Sequence, residues 1–372
     1  MTSEEFKNRK DTVCICDVGI VGDYAIMSND IFNALIVYDL KEKRISSIER
    51  FMEIEAGAHA YHSFCEVVED SAYFFPRSGN IVNKYDKKHN EQKIITLKKE
   101  GEFGVQYAHV NGKQLYLFPF YGKNKLISLD FGSDTCAEMD WWECEELLKA
   151  PSIRSGRYAD GKVWNHCVDS NLILITDVYN ETIDKINIDI GNREIHFIEF
   201  DGESFLVALK NSPDIYEWSK KDGLIEVYND MSRRYTAQYP YKIFVCVNNE
   251  IFVFLRERNE LLILDKKSKR INKIADFPEW ALYPSNDWTV YFRELKDTIL
   301  LFCYFTNFVI AVDKKNLNVR FFKTSVENSK MYRDYYDSTI REYLRGNIIH
   351  EGVPYDWKSN LDAFIENVCE LD

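Results

Sequence analysis

Histidine, tyrosine, tryptophan and arginine recur in short clusters along this chain. The clusters are Gly57-Ala-His59-Ala-Tyr61-His62, Tyr107-Ala-His109, Arg157-Tyr158 followed by Trp164-Asn-His166, and Tyr283 followed by Trp288. An imidazole changes charge near neutral pH, so it can pass a proton or ligate a metal. Phenol and indole rings stack on sugars or peptides and hydrogen-bond through their polar ends. His59, Tyr61, His62, Tyr107, His109, Arg157, Trp164, His166, Tyr283 and Trp288 are therefore the candidate ligand-binding residues. Three readings are open for them. They pack between elements with each His bonded to a carbonyl, or they form a ligand or partner surface, or they carry acid–base or metal chemistry. In the third reading His62, His109 or His166, with Arg157, would serve a hydrolase or lyase acting on a sugar or similar polar substrate.

No sharper catalytic signature accompanies them. The chain has no His-Glu-x-x-His, no Gly-x-Ser-x-Gly and no phosphate loop. Cys14-x-Cys16 has the wrong spacing for a zinc knuckle. No cofactor and no metal are expected. The formal net charge of −13 disfavours phosphate backbones and anionic membrane surfaces, so neither nucleic acid nor membrane is an expected partner. No apolar run approaches the length of a membrane span, and the first residues lack the apolar core of a secretory signal. The nine Cys form no even, tight framework. Cys246 and Cys303 sit in apolar runs, which suits small core residues in the reducing cytoplasm.

The elements that would position the clusters come from a repeat. Asn-x-[Leu/Val]-x-x-[Tyr/Leu/Val]-Asp occurs at Asn33–Asp39, Asn80–Asp86, Asn124–Asp130, Asn259–Asp265 and Asn307–Asp313. The Asn positions lie 47, 44, 135 and 48 residues apart, and 135 is three intervals of 45. Two weaker copies are expected in the long gap, at Ile183–Asp189 and Asp214–Ser219. Apolar runs precede each copy and basic turns often follow, as at Lys87-Lys88 and Lys266-Lys267. The chain is rich in aromatics, with 7 Trp, 23 Tyr and 24 Phe, which suit a pleated, half-buried surface. Short strands at this spacing mean about four strands per unit. The Asp is expected to accept backbone N–H groups in the next turn, and the Asn to take positive φ between the second and third strands.

This pattern resembles the seven-bladed β-propeller superfamily over residues 12–325, with a kelch- or WD40-like architecture. It carries no Gly-Gly doublet, no Trp-Asp blade ending and no sialidase box, so the resemblance brings no catalytic residue with it. The expected fold is all-β: seven four-stranded antiparallel blades with a short C-terminal helical appendage. Uneven spacing in the long gap predicts a helical insertion near 140–150 and a missing strand around blades four and five. The first blade has its own strands from about residue 12, which argues against strand exchange at closure. Tyr332, Tyr335, Tyr336, Ile340, Tyr343 and Leu344, then Leu361, Phe364, Ile365 and Val368, recur at helical spacing, so 328–372 reads as helices packed on the ring. The functional expectation is a non-enzymatic, protein-binding recognition or scaffold module. It would bind a protein, peptide or small ligand at the mouth of the central channel, with the enzyme reading as the alternative.

Overall fold

Asp39, Asp86, Asp130, Asp177, Ser219, Asp265 and Asp313 each end a strand in the computed structural model. These are the third strands of seven blades: β3 (Ala34–Asp39), β7 (Ile81–Asp86), β11 (Ile127–Asp130), β15 (Leu172–Asp177), β19 (Ile215–Ser219), β23 (Glu260–Asp265) and β27 (Phe308–Asp313). The structure describes residues 15–323 apart from 30–33, 53–60, 98–102, 121–123, 144, 147–152, 168–169, 192, 194, 201–203, 210–211, 213, 220, 229–240, 256–259, 282–289 and 304–307. Each anchor accepts backbone N–H groups two or three residues on, as when Asp39 Oδ1 takes Lys41 N and Glu42 N at 2.9 Å. The same bond recurs at Asp86, Asp130, Asp177, Ser219, Asp265 and Asp313. Four residues after each anchor the backbone turns left-handed, at Lys43, Asn90, Asp134, Glu181, Gly223, Lys269 and Leu317. The carboxylate or hydroxyl thus fixes the hairpin into the fourth strand. The positive φ expected of the repeat Asn is not found at Asn80, Asn124 or Asn171. The left-handed residue sits in the turn after the anchor instead.

Among the described residues, 28 strands, numbered β1–β28 in chain order, form seven four-stranded antiparallel sheets. No strand is missing from blades four and five. Blade four's third strand is β15, preceded by Asn171, and Ile183–Asp189 overlaps its fourth strand, β16 (Thr182–Asn187). The anchors Asp130, Asp177, Ser219 and Asp265 are then 47, 42 and 46 residues apart, close to the spacing elsewhere. Asp189 imitates an anchor because its Oδ1 accepts Gly191 N at 3.1 Å in a turn of its own.

The first strands are β1 (Ile15–Val21), β5 (His62–Val68), β9 (Val105–Asn111), β13 (Ile153–Ala159), β17 (Ile195–Phe200), β21 (Tyr241–Val247) and β25 (Val290–Glu294). Each contacts the first strand of the next blade, and β25 contacts β1, so these seven line the channel and the ring is closed. Every sheet is built from consecutive strands, so among the described residues closure uses no exchanged strand. It rests on side chains instead. Seven buried apolar clusters fill the seven seams, and the closing one joins Val18, Met27 and Ile36 to Leu300, Phe302 and Val309. Middle strands such as β15 are buried along their whole length because neighbours cover both faces. Outer strands such as β24 (Arg270–Asp276) alternate between exposed and half-buried.

Among the described residues no complete helix is present. In the segment 140–150, Trp142 is fully buried and Glu145 and Glu146 have helical backbone, while 144 and 147–150 lie outside the described residues. The helices expected over 328–372 also lie outside them.

Candidate functional site

Charge in the middle of an apolar first strand is what sets the channel apart. Asp17 on β1 follows a register shift between Ile15 and Asp17. A bulge of this kind re-aims the next side chain. Asp17 Oδ2 accepts the N–H of Cys65 on β5 at 2.5 Å, and Oδ1 accepts its neighbour Val18 N at 2.7 Å. Arg293 on β25 donates from Nη2 to Asp17 Oδ1 at 3.0 Å and to the Cys65 carbonyl at 3.3 Å. One guanidinium therefore ties blades seven, one and two together.

A second guanidinium does the same across the far side. Arg157 on β13 donates to Glu199 Oε1 on β17 at 3.3 Å and to the Cys246 carbonyl on β21 at 3.2 Å. It also lies 5.7 Å from the centre of the Phe292 ring on β25. Tyr107 on β9 fills the space between. Its phenol accepts the Tyr158 N–H, and its ring lies where a Cβ on Gly156 would be only 2.2 Å away. Glycine is required there for that close approach. Together Asp17, Glu66, Tyr107, Arg157, Glu199 and Arg293 form a throat of interlocked polar groups.

Burial governs the charge states in the throat. It raises Asp17 to about 6 against the opposing pull of Arg293 and two backbone N–H groups. It raises Glu66 to about 7, again against Arg293, with the Asp17 charge adding to the rise. Burial also pushes the Cys65 thiol and the Tyr107 phenol up. The throat thus carries two carboxyls that take up protons near neutral pH.

The candidate residues read from sequence divide between throat and seams. Tyr107 and Arg157 are in the throat. His62 is buried at the start of β5, where Nδ1 accepts the Ser28 hydroxyl at 2.7 Å and Nε2–H donates to Asn83 Oδ1 at 3.0 Å. Burial lowers its pKa to about 4, so it is neutral. Tyr61 meets that imidazole edge-on at 5.1 Å. His109 stacks on the half-exposed Tyr158 ring at 3.9 Å, and its buried Nε2 has no hydrogen-bond partner. Burial lowers it to about 4 as well. His166 donates from Nε2 to the Ser170 carbonyl at 2.9 Å. Trp164 stacks on Phe200 at 4.6 Å and donates to the Ala159 carbonyl. His59, Tyr283 and Trp288 lie outside the described residues.

The three histidines do not occupy equivalent positions. His62 and His109 stand at the start and near the end of first strands, while His166 belongs to a second strand, β14 (Lys162–Cys167). Among the described residues no group of three or more His, Cys, Asp or Glu is placed to hold a metal ion. Sequence reasoning passed over Asp17, Glu66, Glu199 and Arg293. Their signal is a charge within an apolar first strand, alone in Phe64-Cys-Glu66-Val and beside Glu294 in Tyr291-Phe-Arg293.

No family model matches the chain, and no curated protein matches it. Solved structures do. A streptogramin B lyase structure aligns with TM-score 0.58 and 13% identity over 83% of this chain and 95% of that one. U3-55K aligns with TM-score 0.54 and 7% identity over 78% and 87%. Apo AztD from Citrobacter koseri aligns with TM-score 0.52 and 11% identity over 78% and 91%. At such identities the likeness carries the fold alone, and together with the closed ring of seven four-stranded sheets it makes this chain a seven-bladed β-propeller.

Proposed function

We propose that this ring is a recognition module without catalysis of its own, which binds a protein, peptide or small ligand at the mouth of the channel. The observation that carries the reading is the engaged throat. The guanidiniums of Arg293 and Arg157 are held by the ring's own carboxylates and carbonyls, at Asp17 and Cys65 on one side and at Glu199 and Cys246 on the other. A ligand entering from the side where the first strands begin meets this bonded layer as a floor. The segments that precede the first strands bear His59, Tyr61, Tyr283 and Trp288, residue types suited to stacking and hydrogen bonding. The cytoplasm is the proposed setting, supported by the buried free thiols Cys65, Cys167 and Cys246.

A thermal-shift panel of peptides, saccharides and small metabolites tests the reading. Ligands that stabilise the wild type are expected to lose that effect with Tyr283→Ala or Trp288→Ala, while the unliganded melting temperature stays within about 2 °C. Equal stabilisation of the wild type and both variants would remove the mouth from the account.

One observation favours the second reading, a hydrolase or lyase acting on a sugar or similar polar substrate. His109 is neutral and keeps Nε2 without a partner beneath Tyr158, as a general base would. Conversion of any panel member by the wild type, abolished in His109→Ala with unchanged stability, would replace the recognition reading.

A further inference from the structure

A groove of about 570 Å³ opens on the outer rim, at the seam where the ring closes. Its lining comes from both sides of that seam: Tyr38 and Lys43 from blade one, Phe321 and Phe322 from blade seven, and Trp280 from the connection after β24. Phe321 and Phe322 belong to β28 (Val319–Lys323), the outermost strand of the last blade. Trp280 is 39% exposed although it also meets Phe308 edge-on at 6.5 Å. Lys43 and Arg320 lie over the Phe322 ring at 4.8 and 5.6 Å. The groove is therefore an aromatic trough with a cationic border, a surface that water covers poorly.

We propose that the chain's own segment 328–345 occupies this groove and staples blade seven to blade one. Three observations choose this occupant. The chain leaves β28 at Lys323, next to a residue that lines the groove, and residues 324–372 follow. Eight residues separate Lys323 from Tyr332, enough to reach roughly 25 Å, so the rim is within range. Tyr332, Tyr335, Tyr336, Ile340, Tyr343 and Leu344 then form one apolar stripe at helical spacing, with Asp337 and Glu342 at its two edges and Arg333 within it. An aromatic stripe of this length matches the aromatic trough. Because no exchanged strand seals the ring among the described residues, a staple at this seam adds to side-chain packing there.

The test is a double-mutant cycle in the full chain, with Trp280→Ala and Tyr336→Ala made singly and together. Each single change is expected to lower the melting temperature by several degrees, and the pair to lower it no further than the larger single effect. Fully additive shifts, or no shift from Tyr336→Ala, would overturn the proposal. Limited trypsin digestion of the native wild type gives a second readout that needs no variant to fold. Slow cleavage at Arg333 and Arg341 is expected, with cleavage at least tenfold faster in Trp280→Ala. Fast cleavage at both sites in the wild type would overturn the staple and make the segment a handle for a separate partner.

Discussion

Replacing Arg293 by methionine removes the one cation that, among the described residues, is bonded to the fully buried Asp17. The magnitude follows from the contacts. Asp17 keeps the Val18 and Cys65 N–H groups but loses a charged hydrogen bond at 3.0 Å. Breaking a buried ion pair from one side costs about 3–5 kcal/mol. Even with Arg293 in place, burial lifts Asp17 from 3.8 to about 6, so holding it ionised already costs roughly 3 kcal/mol. The loss must therefore depend on pH. A carboxyl whose folded pKa is raised contributes stability that is fully present below its unfolded value and is lost as pH rises through the folded value. For Asp17 and Glu66 that window runs from about pH 4 to about pH 7. Without Arg293 both carboxyls move further up, and at low pH they simply take a proton. Urea unfolding at pH 5 and pH 8 measures this. Arg293→Met is expected to cost about 3–5 kcal/mol at pH 8 and about half of that at pH 5. Adding Asp17→Asn to Arg293→Met should narrow the difference between the two pH values. An equal loss at both, or a loss under about 1 kcal/mol at pH 8, would refute the claim that this ion pair locks blades seven, one and two.

Further outcomes are expected from neighbouring positions. Glu66→Gln should stabilise the ring at pH 8 relative to pH 5, measured as the shift in urea midpoint against the wild type, because it removes a carboxyl whose ionisation burial opposes. Gly156→Ala should cost about 1–3 kcal/mol, since the new Cβ meets the Tyr107 ring at 2.2–2.6 Å, and chemical denaturation reads it directly. His62→Leu should cost about 2–4 kcal/mol by leaving the Ser28 hydroxyl and the Asn83 amide oxygen without their partner. It should also remove the part of the acid sensitivity that sets in as pH falls from 6.5 toward 4, the window in which the imidazole takes a proton in the unfolded chain while the buried one stays neutral.

The ring could be read from sequence because its anchors are local. An Asp that ends a third strand is bonded to the next few residues, so spacing alone reveals it. Blade four escaped for a tertiary reason. Its third strand carries Thr176 where other copies are apolar, and the Thr176 hydroxyl accepts the indole N–H of the buried Trp142 at 3.2 Å. That substitution hid Asn171–Asp177 and let Asp189 pass as the anchor, which in turn suggested a lost strand. The throat was illegible for a similar reason. Arg157 meets a carbonyl 89 residues on, and Arg293 meets Asp17 276 residues back. Only the closed ring brings these together. Tyr107 and Arg157 stand out in the sequence because they sit in aromatic clusters, whereas Asp17, Glu66 and Glu199 are single charges in apolar strands and Arg293 stands beside Glu294. His62 and Trp164, chosen for their chemistry, are met in the structure by seam partners in Ser28, Asn83 and Phe200.

A crystal structure of the full chain with its most stabilising panel ligand tests the recognition reading most directly. Intact ligand is expected at the channel mouth against the entry segments that carry Tyr61, Tyr283 and Trp288, with Arg157 still on Glu199 and Arg293 still on Asp17 beneath it. Ligand found chemically altered beside His109, or bound on the opposite, turn-bearing face with the mouth empty, would contradict it.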